Sequence, residues 1–196
     1  MPKAGDKPTA QRILDAAEAQ FAERGYGAAS LADIADTVGI RPPSLYKHFG
    51  SKRALYEAVM ARLLDPYFET LDRVLETPAE PGQADANLAT IIEHYWAQPN
   101  LARLVQHAAL AGGEDLALLV ERWYRPLMLR AARYSEVPKV GARDAMALTL
   151  AFHAMISGYV TLAPLHGALL GHDPLGPEAR EAQGRMLRKL ATAFFE

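Results

Sequence analysis

Cysteine is absent altogether. That excludes a disulfide framework, thiolate metal sites and a cysteine nucleophile, and it fits a reducing compartment. Long apolar runs are also missing. The longest mostly apolar stretch, 145–170, is broken by Thr149, His153, Ser157, Gly158, Thr161, Pro164, His166 and Gly167, whereas a membrane span needs about 20 uninterrupted apolar residues. Residues 1–9 carry lysines with no apolar run behind them, unlike a secretory leader. A soluble cytoplasmic protein with no membrane partner is expected. Strand patterns are scarce: no segment alternates with period two, and neither Asn-Gly nor Asp-Gly occurs.

Catalytic and metal signatures are lacking too. There is no Gly-x-Ser-x-Gly and no phosphate-cradling glycine loop after a strand. No Asp or Glu stands three residues before a histidine and no His-x-x-x-His occurs, so the histidine-containing ligand pairs of helix-bundle metal sites are missing. No cofactor and no catalytic residue is expected.

Helical periodicity fills the chain instead. Ile13, Leu14, Ala17 and Phe21 line one face of a first helix that stops at Gly25-Tyr26-Gly27. Leu31, Ile34, Ala35 and Val38 then recur at the spacing of a short amphipathic helix. Ser30 is its natural N-cap, Asp33 suits the positive helix end, and Gly39 can take the left-handed turn that closes it. Pro42 and Pro43 fit the first turn of another short helix, since the missing N–H groups would have no partner there. Leu45 and Phe49 give that helix a buried face, and Gly50 ends it.

Two short helices joined by a tight glycine turn form a helix-turn-helix, whose second helix enters the major groove. Net charge is −2, which says nothing for nucleic acid, but its distribution does. Between Thr37 and Tyr56 stand Arg41, Lys47, Lys52 and Arg53 with no acidic residue, the local basic patch of a DNA binder. Ser44, Tyr46, Lys47 and His48 lie off the buried face and offer a mix suited to phosphate and base contacts.

The run Leu45-Tyr46-Lys47-His48-Phe49-Gly50-Ser51-Lys52-Arg53-Ala54-Leu55, with Leu31-Ala32-Asp33-Ile34-Ala35 and Val38-Gly39 upstream, resembles the tetracycline-repressor (TetR) family over about residues 9–60. The resemblance implies that Ser30 and Lys52 sit at helix starts against phosphates, with Tyr46 and His48 beside them, while Arg41, Pro42, Ser44 and Lys47 approach base edges. Pro42-Pro43 departs from the small or polar residues usual there. It removes two donors and favours apolar contact with a thymine methyl.

Downstream, helices are expected at about 84–97, 100–111, 114–134, 142–170 and 176–195, with kinks at Pro126 and Pro164. Pro66 should end or kink the helix that starts at Ser51. The segment 77–82 reads as a linker. Ala147, Ala151, Ala154 and Gly158 form a small-residue strip, and Leu187, Leu190, Ala191 and Phe194 an apolar stripe. Either could face the chain's own core, but the resemblance implies that these helices pair two copies as a four-helix bundle. Large or polar side chains on the middle helices would mostly fill core. With polar handles that need partners when buried, they also suit a small-molecule pocket. The resemblance places an effector there, and Tyr67, His94, Trp96, His107, Tyr124, Met128, Phe152 and Met155 are its expected lining.

The expected architecture is all-α: a helix-turn-helix domain over 1–50, a connecting lever over 51–65, and an effector-binding and dimerisation domain over 66–196. The expected function is a ligand-responsive transcriptional regulator, a repressor, that binds a palindromic DNA operator as a homodimer and is released by a small hydrophobic or aromatic effector. Two alternatives stay open at this point. One is a small-molecule-binding or catalytic helical protein with a vestigial head; the other is a DNA-binding regulator without an effector.

Overall fold

The computed structural model describes residues 7–76, 83–134 and 142–195, and all regular structure in them is helical. The order is α1 (Thr9–Ala28), α2 (Leu31–Val38), α3 (Pro42–Phe49), α4 (Lys52–Glu76), α5 (Gln83–Ala97), α6 (Pro99–Ala111) and α7 (Gly113–Leu119). A π-helical turn (Val120–Tyr124) leads into α8 (Arg125–Tyr134), followed by α9 (Ala142–Thr161), α10 (Ala163–Leu170) and α11 (Pro177–Phe195). The linker expected at 77–82 and the break at Val137-Pro138 lie outside the described residues.

Helices α1 to α3 pack with the start of α4 into a small head. Its core is Ile13, Ala17, Phe21, Ile34, Ala35, Val38, Leu45, Leu55, Tyr56 and Val59, all buried. The Phe21 and Tyr56 rings meet edge to face at 5.2 Å, and Tyr26 lies 4.9 Å from Tyr56. α1 breaks where the sequence places its turn: Gly25 has φ 73 and ψ 171 inside an otherwise helical run. That region of backbone space is essentially reserved for glycine.

Three prolines were expected to end or kink helices, and their outcomes differ. Pro66 does not end α4, which continues unbroken to Glu76, so the connecting helix is longer than 51–65. Packing of Tyr67 and Phe68 on one side and Leu63 and Leu64 on the other, all buried, outweighs the one backbone bond that proline removes. In the segment 113–134 the irregularity lies before Pro126, as the π-turn. There Arg125 N–H bonds the carbonyl of Val120, one residue further back than in an α-helix. A widened turn gives the proline ring room against the preceding carbonyl. The stretch 142–170 is two helices, parted at Leu162 with φ −89 and ψ 4, and Pro164 opens α10.

The head meets the body mainly through α1 against α6, and α4 belongs to both. A Cβ built on Gly25 would lie 3.1 Å from His107 Nδ1, so the glycine lets α6 approach. Arg53 on α4 pairs with Glu57 at 3.0 Å and with Asp115 on α7, and bonds the carbonyl of Glu114 at 3.2 Å. Arg62 reaches back to Asp15 at 2.7 Å and also to Glu18.

Gly25→Ala is expected to destabilise the chain by about 1–3 kcal/mol, from backbone strain alone, with the His107 contact adding to it. Urea unfolding of Gly25→Ala, with and without His107→Ala, separates the two. The second substitution should recover only the contact.

Candidate nucleic-acid interface and buried aromatic cluster

The turn between α2 and α3 is built as its residues demand. Ser30 Oγ accepts from Asp33 N–H at 3.3 Å, and the Asp33 carboxylate pairs with Arg24 at 3.1 Å. Gly39 takes the left-handed conformation, φ 73 and ψ 35, and donates to the Asp36 carbonyl at 3.0 Å, while Ile40 N–H returns to Ala35 at 3.0 Å. Pro42 and Pro43 occupy the first turn of α3, as expected. Gly50, with φ 64, ends α3, and Ser51 Oγ caps α4 by accepting from Ala54 N–H at 3.0 Å.

This frame leaves one face of α3 open. Leu45 is fully buried and Phe49 half-buried beneath it, whereas Arg41, Pro42, Pro43, Tyr46, Lys47 and His48 are exposed and Ser44 is half-buried. No described ion pair or hydrogen bond holds the side chains of Arg41, Lys47 or His48. Lys52 is oriented instead: its Nζ donates to the Gly27 carbonyl at 3.2 Å and sits 4.8 Å from the Tyr26 ring. Tyr26 is a part of the site that the sequence reading left unassigned; its place in the turn after Gly25 was the available signal. Arg53, counted above in the basic patch, is a correction. Its guanidinium is spent on the Glu57 and Asp115 carboxylates and the Glu114 carbonyl, and it braces head to body; burial works against its charge, but the two carboxylates outweigh that and hold it charged.

The expected effector residues fall in different places. Tyr67, His94 and Tyr124 come together with Phe68, Tyr95 and His153. Tyr67 lies 4.9 Å from Tyr95 and 5.3 Å from His94, and Phe68 lies 5.1 Å from Tyr124. Both His153 nitrogens face phenols: Nδ1 is 3.2 Å from Tyr95 Oη, and Nε2 is 3.2 Å from Tyr124 Oη. A neutral imidazole carries one N–H, so one tyrosine accepts from it and the other donates to it. Burial pushes the tyrosines away from ionisation and holds His153 and His94 below their ordinary range. His94 Nε2 is buried with no hydrogen-bond partner. Met128, Phe152 and Met155 are half-buried against the core. Tyr95 and His153, at the centre of the cluster, were not among the expected lining residues.

Two expected residues lie elsewhere. His107 sits against Gly25 at the junction with the head. Trp96 is buried between α5 and α11, where its Nε1–H donates to Gln183 Oε1 at 2.9 Å. Trp96 borders a cavity of about 610 Å³ also lined by Ile92, Glu93, Arg180 and Arg188.

Of the expected pairing residues, Ala147, Ala151 and Ala154 are exposed and Gly158 and Leu190 half-buried. Leu187 is a correction: it is fully buried in the chain's own core, so it has no surface left for a second copy. The side chains of Ala191 and Phe194 lie outside the described residues. Leu150 on α9, Leu165, Leu169 and Leu170 on α10, and Leu162 between the two are also exposed.

Residues 13–59 match the family model described as bacterial regulatory proteins, tetR family. Over this segment the chain is similar to the TetR family. The matched residues are the head and the start of α4, the same segment that presents the open face of α3. Among relatives, a "HTH-type transcriptional repressor KstR2" of Mycolicibacterium smegmatis is 38% identical over 82 residues, 41% of this chain and 40% of that protein. A "HTH-type transcriptional activator FasR" of the same species is 40% identical over 72 residues, 37% of this chain and 33% of that protein. The chain thus spans less than half the length of these relatives. Solved structures extend the likeness in fold to the whole chain. A TetR-like transcriptional regulator from Rhodococcus sp. RHA1 superposes with a TM-score of 0.67 at 22% identity, over 97% of this chain and 96% of that one. A TetR transcriptional regulator from Legionella pneumophila does so with 0.66 at 19% identity, over 95% and 98%. No helix among the described residues is long and apolar enough to cross a membrane.

The lowered histidines make stability depend on pH. Below pH 6.5, the ordinary histidine value, the unfolded chain takes up protons that the folded cluster resists. Stability is therefore full above that pH and falls as pH drops toward the lowered folded values. Thermal melts at pH 7.5 and 5.5 should show this drop, and His153→Gln should reduce it; an equal drop in the variant would contradict the assignment.

Proposed function

We propose that the chain is a dimeric, ligand-responsive transcriptional regulator that acts as a repressor on a palindromic operator. The observation that carries this reading is the exposed face of α3, where Arg41, Tyr46, Lys47 and His48 stand open on a helix that the family places in the major groove. Ser30 and Ser51 mark the N-termini of α2 and α4, whose free amides and positive dipole ends suit phosphates. Lys52, tethered beside Tyr26, adds a fixed cation at the second of these. Pro42 and Pro43 offer apolar surface to thymine methyl groups. The relatives' names support control of transcription, and the repressor sign follows the KstR2 protein.

Pairing is assigned to α9, α10 and α11. Ala147, Ala151, Ala154 and Gly158 permit close helix approach, and the exposed leucines of α9 and α10 supply apolar area that a single soluble copy would leave in water. Two heads then span half-sites about 34–36 Å apart, or a multiple of that. A small hydrophobic or aromatic effector is assigned to the uncharged cluster of Tyr67, His94, Tyr95, Tyr124 and His153. It lowers DNA affinity by its preference for the head spacing that does not fit.

A duplex selected by the wild-type chain from a random-sequence library provides the test. Binding should weaken steeply with salt, with a slope of about −0.9 per phosphate neutralised. Lys52→Ala should weaken all sequences alike and lower that slope by about one, whereas Lys47→Ala should also relax base preference if it reads bases. Unchanged affinity in both variants would defeat the assignment. Ala154→Glu should yield monomers in sedimentation and bind the palindrome at least tenfold more weakly; a dimeric variant would remove the pairing face from α9.

A further inference from the structure

The π-turn Val120–Tyr124 touches α4 on both sides of Pro66. Before the proline, Trp123 Nε1–H donates to Asp65 Oδ1 at 2.7 Å and Arg122 reaches Asp65 Oδ2 at 3.3 Å. The Arg122 guanidinium also covers the Trp123 ring at 4.6 Å. After the proline, the Tyr124 ring meets Phe68 edge to face at 5.1 Å. The same Tyr124 places its hydroxyl 3.2 Å from His153 Nε2 on α9. Three consecutive residues of one irregular turn therefore bind the lever below its proline, the lever above it, and the centre of the aromatic cluster.

Each partner suits a movable joint. Pro66 supplies no N–H to the carbonyl of Arg62, so α4 has one backbone bond fewer at this level than anywhere else in its interior. A π-turn holds one residue more than an α-turn, and moving it along a helix by one residue re-aims side chains by about 100°. Trp123 is buried and its indole bond ends on a carboxylate, a charge-assisted contact stronger than a neutral one.

We infer that this π-turn is the element that couples the aromatic cluster to the DNA head, with Asp65 as the latch and Pro66 as the hinge. The inference deepens the proposed function and rests on it. A ligand that takes over the His153 hydrogen bond displaces Tyr124. The turn then shifts, Trp123 and Arg122 let go of Asp65, and α4 bends at Pro66 and carries α1 to α3 with it. Trp123, Arg122 and Asp65 are positioning residues in this scheme and touch neither ligand nor DNA.

A double-mutant cycle tests it without a known effector, using the duplex selected by the wild-type chain. His153→Gln should change DNA affinity by about fivefold or more in the wild-type background, and by less than twofold when Trp123 is already phenylalanine. Equal changes in both backgrounds, or none in either, would overturn the coupling while leaving DNA binding itself in place. A second reading needs no DNA. The chain has two tryptophans, and hydrogen exchange of the Trp123 indole N–H should quicken about fivefold in His153→Gln, while that of Trp96, held by Gln183, should not change. Equal exchange in wild type and variant at Trp123 would likewise refute the coupling, and a wild-type chain that selects no duplex would refute the regulator reading instead. Tyr124→Phe, which removes only the hydroxyl, replaces His153→Gln in both experiments if that variant does not fold.

Discussion

The structure depends on α4 running as one helix past Pro66. A proline in a helix interior costs about 3 kcal/mol or more in isolation, so continuity requires support from outside the helix. Leu63, Leu64, Tyr67 and Phe68 bury their side chains around the proline, and the π-turn holds Asp65 and Phe68 on either side of it. Because α4 lies in the core of both the head and the body, this support also fixes where α3 points. The ion pairs from Arg53 to Asp115 and from Arg62 to Asp15 and Glu18 brace the same helix nearer its start.

The two halves of the chain follow different physical logic. The head is small, and its shape is set by local chemistry: Ser30 and Ser51 as caps, Gly25, Gly39 and Gly50 at positive φ, and prolines where a helix begins. Its outer face is polar and free of described partners at Arg41, Lys47 and His48, which is what a surface reserved for another molecule looks like. The body buries polar aromatic groups instead. Phenol and imidazole satisfy one another around His153 with no formal charge, so the cluster resists protonation and ionisation alike. Such an interior favours an uncharged or weakly polar guest over a free anion, whose desolvation it could not offset.

Much of the head was legible in the sequence because its determinants act over three or four residues. Helix periodicity, N-caps, glycine turns and prolines in a first turn can each be read without knowing what packs where. The body was legible only as helices. Nothing local announces that Trp123 will find Asp65, that Trp96 turns toward Gln183, or that His107 faces Gly25, since each contact joins residues more than fifty positions apart. Proline was misleading for the same reason: its local cost at Pro66 and Pro126 is real, and distant packing and a π-turn absorb it. Leu187 likewise reads as one of a stripe, and only the fold decides that it faces inward.

The central claim is that α3 enters a DNA groove while the body stays clear of it. Photo-crosslinking tests it directly, with benzoylphenylalanine placed in turn at Tyr46, 48% exposed on α3, and at Leu110, 78% exposed on α6. The account predicts efficient crosslinks to duplex DNA from position 46 and none from position 110. Crosslinks from 110 alone, or equal yields from both, would contradict it.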